Sequence, residues 1–323
     1  MPQNLSFHLP FPAGTNPEAD RARERHLDWV ARLGLVEGAE ALLRYRDSRL
    51  TDLVAYAYPD AAGEDLDLVT DAVCLGFPLD DEFDGPLGRQ PRHAALLSAE
   101  LAAIPYREPG ARPRLDTPLT RAYTDVWRRS AAGMSAAWRA RAAANYARFF
   151  RSYVQETHNR SQGVTLDEDS YVALRRQAVG TAPCFDLIER AGHFEVPPRA
   201  YCSREVQALT RCAGDVVFLC NDVHSVEREE AQGDPHNLVL IRQRALGCDR
   251  AEALRQVAAE IRSRVRLFVS LTAALPARHA EWRLDARGRT DLARYLAGLG
   301  TWMTANQRWG VATARYAERS RSA

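Results

Sequence analysis

Residues 216–229 read Val216-Val217-Phe218-Leu219-Cys220-Asn221-Asp222-Val223-His224-Ser225-Val226-Glu227-Arg228-Glu229. Five apolar residues are followed by oxygen-bearing side chains at Asn221, Ser225 and Glu229, a spacing of i, i+4 and i+8. An α-helix turns roughly 100° per residue, so these three line one stripe. An amide, a hydroxyl and a carboxylate suit a hard cation such as magnesium, whose shell is completed by water and substrate phosphate. Asp222 and Glu227 fall off the stripe and read as salt-bridge partners, and the lone His224 reads as structural. No paired Cys or His ligands argue for zinc.

A second acidic segment lies upstream, Asp80-Asp81-Glu82-Phe83-Asp84, after the apolar run Val73-Cys74-Leu75-Gly76-Phe77-Pro78-Leu79. Asp80 and Asp84 stand almost above one another on a helix, with Asp81 beside them. A helix buried on most faces that ends in so many carboxylates concentrates like charge that needs cations. The two segments together read as a metal site for a phosphorylated substrate, held between facing helices. Pro78 should kink or loosen the helix that carries the aspartates.

The rest of the chain reads as helices from end to end, because apolar residues recur at three- and four-residue spacing. Asn16 is expected to cap a first helix, with Pro17 at its first position, running to Leu33 before Gly34. A second is expected over about 66–84, ended by Gly85-Pro86. Others fall near 117–131, 134–160, 167–194, 202–230, 235–246, 250–275 and 288–319, with a connection around 106–116. Gly180 interrupts the 167–194 segment, which frees backbone carbonyls there. The expected fold is all-α, a single-domain helical bundle over 1–323 around a deep apolar cavity, with flexible segments at about 1–15 and 317–323.

Composition narrows the functional classes. The 323 residues are 46% hydrophobic with a formal net charge of +1, so a sizeable core is available and nothing favours nucleic acid. No apolar run approaches the roughly 20 residues that span a bilayer, and the N-terminus lacks the regions of a signal peptide. The six cysteines are scattered without CxxC spacing, as for reduced, buried thiols in a cytoplasmic protein.

These residues carry a family resemblance. Asp80-Asp81-Glu82-Phe83-Asp84 resembles the DDxxD motif of class I terpene synthases, and Asn221, Ser225 and Glu229 match that family's second metal motif, ND(L/I/V)xSxxxE. Arg228 sits where the family has a diphosphate-binding Lys or Arg. Trp309-Gly310-Val311-Ala312-Thr313-Ala314-Arg315-Tyr316 resembles the W-x-x-x-T-x-R-Y signature, and Pro10-Phe11-Pro12, Asn16-Pro17, His26 and Trp29 resemble the opening of bacterial terpene cyclases. The likeness spans essentially the whole chain.

The resemblance implies a bundle of the terpenoid synthase type and an enzyme, a lyase that ionises a linear isoprenyl diphosphate and cyclises the carbocation. Farnesyl diphosphate is the favoured substrate, geranylgeranyl diphosphate the rival and geranyl diphosphate third. It implies Mg²⁺, three ions, with Mn²⁺ accepted, held by Asp80, Asp84, Asn221, Ser225 and Glu229. By family spacing Arg176 is the diphosphate sensor, Val179 the linker and Gly180 the effector whose carbonyl faces the cation, with Arg175 as rival sensor. Arg228, Arg315 and Tyr316 complete the diphosphate contacts. Phe77, Phe149, Tyr153, Trp302 and Trp309 are the candidate cavity aromatics. No nucleic-acid or membrane partner is implied, and the protein is expected as a monomer or homodimer. A chain-elongating prenyl synthase would carry a second DDxxD, which the Asn–Ser–Glu stripe argues against. A non-catalytic helical binding protein is the remaining alternative.

Overall fold

Pro78 divides the helix that delivers the aspartates. Proline lacks an N–H and its ring crowds the carbonyl four residues earlier, here Cys74, where the preceding helix stops. A new helix opens at Gly76, so Pro78 occupies its third position, where the amide needs no intrahelical partner. The expected loosening falls at Leu75, whose backbone stays right-handed helical while the regular helix is interrupted, and the aspartates ride on the short segment Gly76–Asp84.

The computed structural model describes residues 5–108 and 110–316, without the side chains of residues 84, 86 and 87. Its α-helices are α1 (Ala19–Leu33), α2 (Ala39–Asp47), α3 (Leu50–Ala57), α4 (Gly63–Cys74), α5 (Gly76–Asp84), α6 (Pro91–Ala103), α7 (Pro118–Ala131) and α8 (Ala136–Gln162). They continue with α9 (Glu168–Ala178), α10 (Thr181–Ala191), α11 (Pro198–Tyr201), α12 (Arg204–Gln232), α13 (Leu238–Leu246), α14 (Arg250–Ala274) and α15 (Ala286–Ala312). Short 3₁₀ turns complete the set, including one at Ala314–Tyr316, and the fold is all-α, as the sequence led us to expect. No helix among the described residues is long and apolar enough to cross a membrane.

The start of α1 differs from expectation. Helical geometry begins at Ala19, and Asn16 is a buried brace rather than the cap. Its amide donates to the carbonyls of Tyr58 (2.8 Å) and Ala61 (2.7 Å), while its oxygen accepts from the Glu18 N–H (2.9 Å). Five of the later helices open on side-chain caps: Ser135 for α8, Ser203 for α12, Asn237 for α13, Asp249 for α14 and Asp285 for α15.

The chain forms two compact units, residues 15–164 with 177–195, and residues 1–14, 165–176 and 196–323. In the first, α6 packs on α8. Trp29, Leu79, Phe83, Leu97, Leu101, Tyr123, Phe150 and Tyr153 share one buried core. A buried ionic knot accompanies it: Asp71 accepts from Arg129 (2.7 Å), Arg25 and the His26 Nδ1 position (2.8 Å), and His26 Nε2 meets the Tyr45 hydroxyl at 2.9 Å. A carboxylate so deeply buried needs such a set of donors.

In the second unit α12 is the central element, packed by α13, α14 and α15 and buried almost continuously from Cys212 to Val226. Residues 5–14, expected as a flexible tail, are instead anchored along α15. Gln307 Nε2 donates to the Leu5 carbonyl (3.1 Å), Arg308 to that of Gly14 (3.0 Å), and Phe11 sets its edge on Phe268 at 5.4 Å. Residues 1–4 and the C-terminal segment 317–323 lie outside the described residues. No cysteine is in a disulfide; Cys74, Cys212 and Cys220 are buried as expected, whereas Cys202 is exposed.

Candidate active site

In the first unit the buried Phe83 shows which face of α5 turns inward. Phe83 is buried and stacks on Tyr153, with centroids 4.4 Å apart and planes at 15°. Turning Phe83 inward turns Asp81, two residues back, outward: Asp81 is exposed and Asp80 half-buried. The side chain of Asp84, the second metal ligand expected from this motif, lies outside the described residues. Tyr153 in turn meets Phe149 edge-on at 5.2 Å, and Phe149 packs on Gly180, where a Cβ would stand 3.0 Å from its ring. Gly180 has φ +69° and separates α9 from α10, so the expected helix break is present. Both features call for glycine, since L side chains avoid that φ. Two of the five candidate aromatics thus belong to a stack running from the aspartate motif to the Gly180 break. Phe83, which the sequence reading passed over, is its first member.

The turn after the motif is held by a close backbone approach. A Cβ on Gly88 would lie 1.6 Å from the Phe83 carbonyl oxygen and 2.8 Å from its carbon. Gly88→Ala must therefore displace the end of α5. Overpacking of this kind costs about 1–3 kcal/mol, and we expect both a lower Tm and reduced turnover. A variant that melts and turns over as the wild type would remove Gly88 from the support of this motif.

In the second unit the Asn–Ser–Glu stripe is in place on α12. Asn221 Oδ1 accepts from Arg175 Nη2 (2.6 Å), and its amide donates to the Tyr316 hydroxyl (2.5 Å). The Ser225 hydroxyl donates to the Asn221 carbonyl (2.8 Å), and Glu229 Oε2 accepts from Asn237 Nδ2 (2.7 Å). The buried Asp222 accepts from Tyr171 (2.6 Å), Arg175 Nε (3.1 Å) and the Leu238 N–H (3.0 Å). It is a salt-bridge partner, as its place off the stripe suggests. His224 is buried against Gln307 (3.2 Å), in keeping with a structural role.

Arg176, expected as the sensor, is turned away from this stripe. Its guanidinium makes a two-pronged bond to Asp215, at 2.7 and 2.9 Å, and Arg264 approaches the same carboxylate at 3.5 Å. Neighbouring residues of α9 differ by roughly 100° in direction, so only one of the two arginines faces Asn221. That one is Arg175, the rival in the sequence reading.

The charges around Tyr316 gather the remaining candidates. Tyr316 is buried, its ring edge-on to Trp309 at 5.5 Å. Burial pushes its phenol up to about 12; Arg315, Arg228 and Arg175 oppose the rise and Glu229 adds to it. The Arg315 amide is tied to the Thr313 hydroxyl (3.2 Å), which fixes the turn carrying Arg315 and Tyr316. Three cations and a phenol donor therefore accompany the stripe, a set suited to a diphosphate. Trp302 and Trp309 are buried on α15, and in the first unit Phe77 is half-buried on α5.

The donor chemistry of the stripe fits a divalent cation. Burial pushes the Glu229 carboxyl up, to about 7, and the Asp222 carboxylate adds to the rise against Arg175, Asn237 and Ser225. A carboxylate in line with an amide oxygen and a hydroxyl is the kind of oxygen ligand set that a hard divalent cation takes.

Comparison with known proteins gives the family. Residues 71–266 match the family described as terpene synthase family 2, C-terminal metal binding. The pentalenene synthase of Streptomyces avermitilis is 37% identical over 319 residues, covering 98% of this chain and 94% of that protein. The 7-epi-alpha-eudesmol synthase of Streptomyces viridochromogenes, described as (2E,6E)-farnesyl diphosphate cyclizing, is 32% identical over 98% of this chain and 93% of that one. The crystal structure of germacradien-4-ol synthase from Streptomyces citricolor superposes with a TM-score of 0.86 at 34% identity, covering 97% of this chain and all of that one. Fold, motifs and relatives define a metal-binding terpene cyclase of the lyase class. The chain belongs to the bacterial class I terpene synthases.

Proposed function

We propose that this enzyme carries out the Mg²⁺-dependent ionisation of a linear isoprenyl diphosphate, farnesyl diphosphate first among them. Cyclisation of the cation gives a terpene hydrocarbon or alcohol, with release of diphosphate. The observation that carries the reading is the gathering of Arg175, Arg228, Arg315 and Tyr316 beside the Asn221–Ser225–Glu229 stripe. The choice of farnesyl diphosphate is supported by the eudesmol synthase relative, described as (2E,6E)-farnesyl diphosphate cyclizing. In this reading the whole chain is one catalytic domain, a cytoplasmic monomer or homodimer.

Asp80, Asp84, Asn221, Ser225 and Glu229 hold the metal, three Mg²⁺ ions by the family resemblance, with Mn²⁺ accepted and Asp81 supporting its partner aspartates. The bound metal supplies Lewis-acid stabilisation of the leaving diphosphate. Arg175, Arg228 and Arg315 donate charge-assisted hydrogen bonds to the oxygens on which negative charge grows, and Tyr316 adds a neutral donor. Gly180, freed from regular helix, offers a carbonyl dipole towards the developing cation. Aromatic faces stabilise that cation and keep water from it.

Incubation with Mg²⁺ and geranyl, farnesyl or geranylgeranyl diphosphate, followed by gas chromatography with mass detection, tests the reading. A cyclic product from farnesyl diphosphate is expected. A cyclic product from geranylgeranyl diphosphate alone would make the enzyme a diterpene cyclase, a lengthened prenyl diphosphate would make it an elongating enzyme, and no diphosphate release from any of the three would sink the assignment.

The aromatics separate formation of the cation from its fate. Phe77→Leu, Phe149→Leu and Trp302→Leu are expected to change the product mixture at retained substrate consumption, since an aromatic face is worth about 0.5–2 kcal/mol to a cation. Circular dichroism guards the comparison, because truncating a buried aromatic costs about 3–5 kcal/mol. Identical product ratios from every folded variant would place these rings outside the reaction.

A further inference from the structure

We propose that Asn237 is a positioning residue for Glu229, fixing one carboxylate oxygen so that the other is presented to the cation. The inference rests on the reading of Glu229 as a metal ligand. Asn237 is fully buried at the N-cap of α13, eight residues beyond Glu229 and outside both metal motifs. Its amide nitrogen donates to Glu229 Oε2 (2.7 Å) and to the Asp222 carbonyl (2.7 Å). Its oxygen accepts from the Val239 N–H (2.9 Å), which caps the helix. Both donor hydrogens and the acceptor are thus engaged inside the protein.

The geometry extends beyond one contact. The Leu238 N–H donates to Asp222 Oδ2 (3.0 Å), so the first turn of α13 grips α12 at Asp222 and again at Glu229, two helical turns apart. The Asp222 carboxylate also holds Arg175 and Tyr171. One end of α13 therefore sets a metal ligand, through Asn237, and the partner of a diphosphate-binding arginine, through Leu238. Capping alone would be met equally by Ser, Asp or Asn. The bond to Glu229 needs a donor, which Asp lacks, and reach, which Ser lacks.

Asn237→Ser and Asn237→Thr keep a capping oxygen but remove the amide donor. Binding of Mg²⁺ with inorganic diphosphate is measured by calorimetry in the absence of substrate, beside Tm, for both variants and for Glu229→Gln. We expect binding to weaken ten- to hundredfold, the range found when the partner of a metal-ligating side chain is lost, with Tm within a few degrees of wild type. In the double variant Asn237→Ser/Glu229→Gln, binding should be no weaker than in Glu229→Gln alone, since Asn237 acts through Glu229. Wild-type binding by both Asn237 variants, with weakened binding by Glu229→Gln, would reduce Asn237 to a cap and overturn the proposal. Wild-type binding by Glu229→Gln itself would show instead that the metal reading had failed.

Discussion

Glu229→Gln and Asn221→Leu are each expected to lower turnover of farnesyl diphosphate on the order of a hundredfold or more, and excess Mg²⁺ should not restore it. The first change keeps the shape of the side chain and leaves an oxygen that can accept from Asn237. What it loses is the anionic charge. Glu229 is the one carboxylate on the stripe, so the substitution leaves the stripe with neutral oxygens only. The second change removes an amide that accepts from Arg175 and donates to Tyr316. In the proposed reading it cuts a metal ligand and the link between two diphosphate donors together, and its loss should be the larger. Neither residue lies in the apolar core, so both variants should keep their circular dichroism spectrum. Wild-type turnover by both at saturating Mg²⁺ would show that α12 carries no metal ligands.

Much of this site was legible because periodicity fixes direction within a helix. The i, i+4, i+8 register of Asn221, Ser225 and Glu229 needs no tertiary information to place them on one stripe, and the Trp309–Tyr316 signature put the phenol near it. What periodicity does not fix is which face of one helix meets another. Family spacing favours Arg176 as the sensor over Arg175, but spacing along one helix does not say which side chain faces the stripe. Packing brings Tyr171 and Arg175 to Asp222 and leaves Arg176 to Asp215, which is why Arg175 is the arginine proposed here. Asn237 carried one local signal, its place as a cap before an apolar run, and nothing in the chain announced its bond to Glu229. Helices α2, α3 and α6 also escaped the reading: α2 buries no residue, and α3 is buried on nearly all sides, so neither shows the one-sided pattern sought. Pro78 was recognised as disruptive, but its consequence depended on where a new helix could start, and Gly76 supplied the place.

The two arginines make the sharpest test of how the site works. Arg175 donates to Asn221 through Nη2 and to Asp222 through Nε, and it acts on the Tyr316 phenol together with Arg228 and Arg315. Truncating it to alanine would also strand the buried Asp222 carboxylate, which confounds activity with stability. Arg175→Lys is the better probe. It keeps a positive charge near Asp222, yet a single ammonium lacks the planar fork that could serve Asp222, Asn221 and a phosphate oxygen together. A charge-assisted hydrogen bond is worth about 1.5–3 kcal/mol, so kcat should fall roughly ten- to hundredfold. Arg176→Lys keeps a cation opposite Asp215 and should stay within about threefold of wild type. Inorganic diphosphate binding with Mg²⁺ should follow the same order, weakened in the Arg175 variant and little changed in the Arg176 variant. The opposite ranking in both measurements would restore Arg176 as the sensor and mean that its pairing with Asp215 gives way when the diphosphate binds.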